Sequence, residues 1–214
     1  MMIIDPVLRP NFIRSLKPFD TVIIDPGHGG ADPGAVNALG SEKDYTLAVA
    51  RILSKALEGE GFKVVMTRDA DLTLSNTERV KIANREGANA IFISIHFKSK
   101  PDGTNRGIET FTCSYAGEDV NARKPRKGMG EQSASIALAV AVHGTCTLKT
   151  GLPDGGIRRI NTSVLAGIGH PAILLVGGYM SNAEDARLIN RVDYQQALAQ
   201  SIVLAALRYN NAIR

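Results

Sequence analysis

Two histidines and a glutamate stand where regular structure should give way to loops: His28 in DPGHGG, Glu42 at the head of SEKDYTLAVA, and His96 in SIHF. Two imidazoles and a carboxylate form a zinc site with an open coordination position, the donor set of catalytic rather than closed structural sites. The same donors also suit Fe(II). Each residue has a plainer reading when taken alone. Glu42 would complement a helix dipole from the first turn, and a lone histidine ending a strand is more often a hydrogen-bonded buried side chain. A phosphate-binding loop is disfavoured, because DPGHGG fits neither GxGxxG nor GxxxxGK[ST]. Three such residues from separate elements, meeting at one rim, match the ligand set of catalytic zinc hydrolases.

The elements that must carry them alternate. TVIID (21–25), FKVVMT (62–67) and NAIFISI (89–95) are apolar, β-branched runs of the length expected for strands buried on both faces. Between the first two, Tyr45, Ala48, Val49, Ile52, Leu53, Ala56 and Leu57 recur with helical spacing. SEKD (41–44) should open that helix as a capping box and Gly59 or Gly61 should close it. A second helix over 75–86, ended by Gly87, leads into the strand that delivers His96. GIETFTC (107–113) reads as an edge strand, 133–148 and 193–210 as helices, and AILLV (172–176) as a further strand, with Asn182 and Asp185 starting a helix after it. The pattern predicts one α/β domain, a mostly parallel twisted sheet flanked by helices, with right-handed crossovers. Ligands of such sheets bind outside the carboxyl ends of the strands, which is where the trio should lie. Residues 1–20 read as an N-terminal extension or linker and 21–214 as the domain.

Composition narrows the field. A chain of 214 residues, 44% hydrophobic and 21% charged, is long enough for one large core and fits neither a fibrous nor a disordered protein. Its net charge of +4 and pI near 9.1 favour anionic partners mildly, and no aromatic-plus-basic motif points to nucleic acid. No stretch reaches the roughly 20 apolar residues that span a membrane. Cys113 and Cys146 lack CxxC spacing and suit either one disulfide or two buried thiols. Residues 115–132 form a polar, glycine-containing stretch with a basic run from Arg123 to Lys127, read as a surface loop.

In order and spacing, DPGHGG, SEKDYTLAVA, TRD, IAN, SIHF, GIET, LPDGGIRR and PAILLVGGYMSN resemble the zinc-dependent N-acetylmuramoyl-L-alanine amidases of bacterial cell walls, from about Thr21 to the C-terminus. Each piece is weak alone; the ordered set is specific. The resemblance implies that His28, Glu42 and His96 are zinc ligands. It also implies that the substrate is peptidoglycan, cut at the amide between N-acetylmuramic acid and L-alanine. It implies work in the periplasm or outside the cell. No export signal is legible in residues 1–20, so the expectation is that one has been removed; a monomer is expected.

Two residues depart from the family pattern. Where the family has a glutamate after the last apolar strand, Gly178 and Tyr179 set the register and this chain has Val176. An isopropyl group neither takes nor returns a proton, and general acid/base groups contribute about 10²- to 10⁴-fold. The resemblance therefore leaves open a catalytically inactive, zinc- and peptidoglycan-binding pseudoenzyme. Lys98 stands where the family often has Asn, and reads first as a solvated cation. Glu109 is the nearest alternative carboxylate, though the family commonly has one there, which favours a structural role. Asp25 is a candidate to orient an imidazole, against the plainer reading of a turn residue before Pro-Gly. Arg158 and Arg159, read as part of a glycine-rich loop, and Asn182 are candidates for substrate binding, Arg by bidentate pairing with carboxylates.

Overall fold

The computed structural model describes residues 18–114 and 132–212; most of the expected N-terminal extension and of the basic loop, including Arg123 to Lys127, lies outside them. Six strands form one sheet: β1 (Thr21–Pro26), β4 (Lys63–Met66), β5 (Ala90–Lys98), β6 (Ile108–Cys113), β7 (Asp154–Ile160) and β8 (Ala172–Tyr179). Their spatial order is β4-β1-β5-β8-β6-β7. β4, β1, β5 and β8 run parallel, β6 returns antiparallel beside β8, and β7 runs parallel to β6. A two-residue pair, β2 (Val36–Asn37) with β3 (Gly40–Ser41), projects between β1 and the first helix.

Alternation within the strands divides the core in two. Val22, Ile24, Ile91, Ile93, Ile95, Ile173 and Leu175 point to one face, covered by α1 (Glu42–Gly59), α3 (Gln132–Thr150) and α6 (Val192–Ala212). Ile23, Phe92, Phe111, Leu174 and Val176 point to the other, beneath α2 (Asn76–Ala83) and the short α4 (Ser163–Ala166). Such two-sided burial is why the strands read as continuous apolar runs. α5 (Ala183–Ile189) follows β8 and is capped by Asn182, whose Oδ1 accepts from the N–H groups of Glu184 and Asp185. Among the described residues no helix is long and apolar enough to cross a membrane.

Three expectations about elements need correction. GIETFTC is not an edge: β6 lies between β8 and β7, and all six of its residues are buried. The edge on that side is β7, whose two glycines and two arginines read as a loop. SEKD does start α1, but Ser41 makes no side-chain cap; its hydroxyl donates instead to Asp44 Oδ2 at 2.5 Å. The reciprocal capping box belongs to Ser75 and Glu78 at the start of α2. Cys113 and Cys146 are both buried, and neither is in a disulfide.

Candidate metal centre

β1 and β5 pair in register, Pro26 opposite Ile95, and β1 ends there; His96 does not end its strand as expected but lies within β5, which pairs on with β8 as far as Lys98. After Pro26 the backbone turns sharply, and His28 takes a left-handed conformation with φ 60°. For a non-glycine residue that costs about 1–2 kcal/mol, so its surroundings must hold it there. Gly27 cannot carry a side chain, since a Cβ there would lie 2.3 Å from the His96 ring. Gly34, at φ 65°, likewise leaves room for the His28 ring and the Glu42 carboxylate. Backbone has been kept bare where the two rings converge.

Glu42 reaches this point from the opposite face of the sheet, as the first residue of α1. Its Oε1 lies 2.9 Å from His96 Nδ1 and 3.1 Å from His28 Nε2, and accepts the Phe97 N–H at 2.9 Å; Oε2 accepts the Ala35 N–H at 3.0 Å. Burial works against its ionised form. The hydrogen bonds to His28 and His96, the charge of His96 and the Ala35 N–H outweigh that and hold the carboxyl at about 2. The His28 and His96 rings stand edge to face, their centroids 5.0 Å apart. One ligand atom from each of His28, Glu42 and His96 lies within 4.8 Å of the others.

This donor set fits a divalent cation. Asp32 is also an anion, for although burial opposes it, the His28 ring and the Gly34 N–H lower its pKa. A carboxylate only accepts, so the 2.8 Å contact from Asp32 Oδ2 assigns the proton of His28 to Nδ1 and aims Nε2 at Glu42. Burial pulls the His28 pKa down, but Glu42 and Asp32 together raise it. Nε2 therefore either carries a second proton or faces a cation in that proton's place.

A cleft of about 230 Å³ opens beside the rings, lined by Arg79, Asn76, Thr162 and Val164 among others. Asp32, not Asp25, touches an imidazole. Asp25 instead accepts from Thr67 Oγ1 (2.6 Å), Ser94 Oγ (2.7 Å) and Arg79 NH1 (2.8 Å) below the loop. A carboxylate four residues after the histidine in a glycine-rich turn was the available signal for Asp32. Nothing local in TERV marked Arg79, a buried side chain reached only through tertiary structure.

Val176 sits in register with His96 on one side and Glu109 on the other, so the three share one row on one face. It is fully buried. Glu109 is two strand spacings from His96, about 9.6 Å. Its Oε2 accepts from Lys98 Nζ (2.8 Å) and Tyr179 OH (2.6 Å), and Arg158 NH1 lies 3.3 Å from Oε1. Burial raises its pKa, yet Lys98 and Tyr179 overcome this and lower it, while Tyr179 is pushed above its usual range by burial and by Glu109. Lys98, far from freely solvated, also lies 3.8 Å over the Phe111 ring. Arg158 and Arg159 are exposed on β7. Both ends of the Asn182 amide serve the fold, Oδ1 as cap and Nδ2 as donor to Gly103 O.

Fold and site together define an α/β domain with a two-histidine, one-carboxylate cluster at the carboxyl ends of a mostly parallel sheet. The chain belongs to the N-acetylmuramoyl-L-alanine amidase family, whose model matches residues 22–208. It is 32% identical to the probable cell wall amidase LytH of Staphylococcus epidermidis, over 88% of this chain and 58% of that protein. The Staphylococcus aureus LytH is 34% identical over 86% of this chain and 56% of its own length. The chain thus spans somewhat over half of these curated relatives. Among solved structures, an N-acetylmuramoyl-L-alanine amidase from Clostridium difficile superposes with TM-score 0.78 at 31% identity, covering 91% of this chain and 98% of that one. The catalytic domain of the CwlV amidase from Bacillus (Paenibacillus) polymyxa gives TM-score 0.78 at 34% identity, covering 91% and 99%.

Proposed function

We propose that this chain is the zinc-dependent catalytic domain, residues 21–214, of a peptidoglycan amidase that cleaves the bond between N-acetylmuramic acid and L-alanine outside the cytoplasm, as a monomer. The observation that carries this is the convergence of His28 Nε2, His96 Nδ1 and Glu42 in a member of the amidase family. These three residues would hold the metal. Bound zinc would lower the pKa of a water toward about 7 and polarise the scissile carbonyl. Glu42 contributes a permanent negative charge, and Asp32 keeps the His28 tautomer that presents Nε2. The cleft between α2 and α4 offers room for substrate beside the rings. Arg158 and Arg159 lie at the exposed edge on β7, where their outer faces could meet stem-peptide carboxylates, Arg158 while it also pairs with Glu109.

Proton transfer is the weak step of this site. Val176 offers no ionisable group, and Glu109 is held away from the rings as the anion of a buried cluster. This observation favours a second reading, a domain that holds zinc and peptidoglycan with little or no turnover. Release of stem peptides from purified peptidoglycan by the zinc-loaded chain and by Val176→Glu separates the two. The expected result is slow release by the unaltered chain and an increase of orders of magnitude in the variant. Rapid release that Val176→Glu does not improve would overturn this account of Val176. Unchanged zinc stoichiometry in His96→Ala would overturn the ligand assignment.

A further inference from the structure

We infer that Arg79 is a positioning residue that fixes the His28 backbone, and with it the aim of Nε2, through a buried link to Asp25; this rests on the proposed metal centre. Arg79 reaches from α2 beneath the loop after β1. Its NH2 donates to His28 O at 2.7 Å, and its NH1 donates to both Pro26 O at 2.7 Å and Asp25 Oδ1 at 2.8 Å. Arg68 holds the intervening carbonyl, donating through NH2 to Gly27 O at 2.8 Å and through Nε to Pro26 O at 3.1 Å. Three consecutive carbonyls therefore each accept from a guanidinium. Only Arg79 reaches the residue in the left-handed conformation.

The arrangement is costly as a purely structural device. Arg68 and Arg79 are 2% and 4% exposed, and Asp25 is the only carboxylate that touches either of them among the described residues. Burying charge is expensive unless geometry and hydrogen bonding compensate. What this geometry provides is a fixed carbonyl array at the one non-glycine position, among the described residues, whose φ is positive. The His28–Gly29 peptide plane sets where the His28 ring points, and the His28 carbonyl is held by Arg79. Asp25, itself fixed by Thr67 and Ser94, holds Arg79 in turn. A lysine at 79 carries a single ammonium and lacks the planar fork that reaches all three oxygens together.

The test uses the full chain, stripped of metal and reloaded. Zinc affinity is measured against a competing chelator, and the visible spectrum of the cobalt-loaded protein reports ligand geometry. Arg79→Lys and Arg79→Gln should each weaken zinc binding about ten- to a hundredfold, the usual range for groups that orient metal ligands, and should change the cobalt spectrum. Asp25→Asn should do the same. The double variant Asp25→Asn/Arg79→Gln should be no worse than the poorer single one, because both act through one link. If Arg79→Gln does not fold, Arg79→Lys and Asp25→Asn carry the test. Wild-type affinity and spectrum in folded Arg79→Lys, or full additivity of the pair, would overturn the inference alone. A wild-type chain that binds neither zinc nor cobalt would overturn the metal centre and this inference with it.

Discussion

Val176 lies directly beside His96 across the parallel β5–β8 pair and directly beside Glu109 across the antiparallel β8–β6 pair. An apolar side chain thus separates a ring of the candidate metal centre from the nearest carboxylate along the row. That carboxylate is already committed to Lys98, Tyr179 and Arg158.

A glutamate at 176 should gain activity and lose stability. The position is fully buried in the cluster with Leu174 and Phe111, and a new carboxyl there would lie next to Glu109. Metal-free Val176→Glu should be about 1–3 kcal/mol less stable, the range for a buried polar group without a full set of partners. For a domain of this size that lowers Tm by several degrees, at about 2–4 °C per kcal/mol. Differential scanning calorimetry would show it; an unchanged melt would mean that the side chain escapes to water.

Zinc should stabilise the wild-type chain. At a hundred times its dissociation constant the gain is about 2.7 kcal/mol, seen as a rise in Tm. Glu42→Gln should abolish that rise, since the carboxylate between the two rings is lost. A variant that still responds fully to zinc would remove Glu42 from the ligand set.

Glu109 should shape the acid limb of stability. Its folded pKa is lowered, so its ionised form stabilises the fold above the ordinary carboxylate range, and that contribution disappears as pH falls through the folded value. Glu109→Gln should be less stable than wild type at pH 7, because Lys98 and Arg158 lose their anion. The gap should narrow from about pH 4.5 downward. Urea unfolding across pH 7 to 3 tests this, and parallel curves would contradict it.

Gly27→Ala should damage the site with little effect on the core. The added Cβ would meet the His96 ring at 2.3 Å and displace it. Zinc binding measured by competition should weaken at least tenfold, while the far-ultraviolet circular dichroism stays that of the wild type. Normal zinc affinity would show that the ring can move aside without cost.

Much of this architecture is local and was therefore legible in the chain. Apolar runs reaching Pro26 and His96, and helical spacing after Glu42, pointed to three residues on one rim, because each signal depends only on neighbours in sequence; that β5 runs past His96 to Lys98 depends on its pairing with β8. The glycines of DPGHGG marked a tight turn for the same reason. Tertiary structure alone decided the rest. The place of β6 inside the sheet depends on β7, whose glycines and arginines hide it, and strand order is set by long-range pairing that no local pattern records. The choice of Asp32 over Asp25 as the partner of an imidazole follows from which carboxylate the turn brings within 2.8 Å of a ring nitrogen. Lys98 is held rather than freely solvated because β6 and β8 bring Glu109, Tyr179 and Phe111 against it. Val176 was conspicuous in sequence, but only the register of three strands put it between His96 and Glu109.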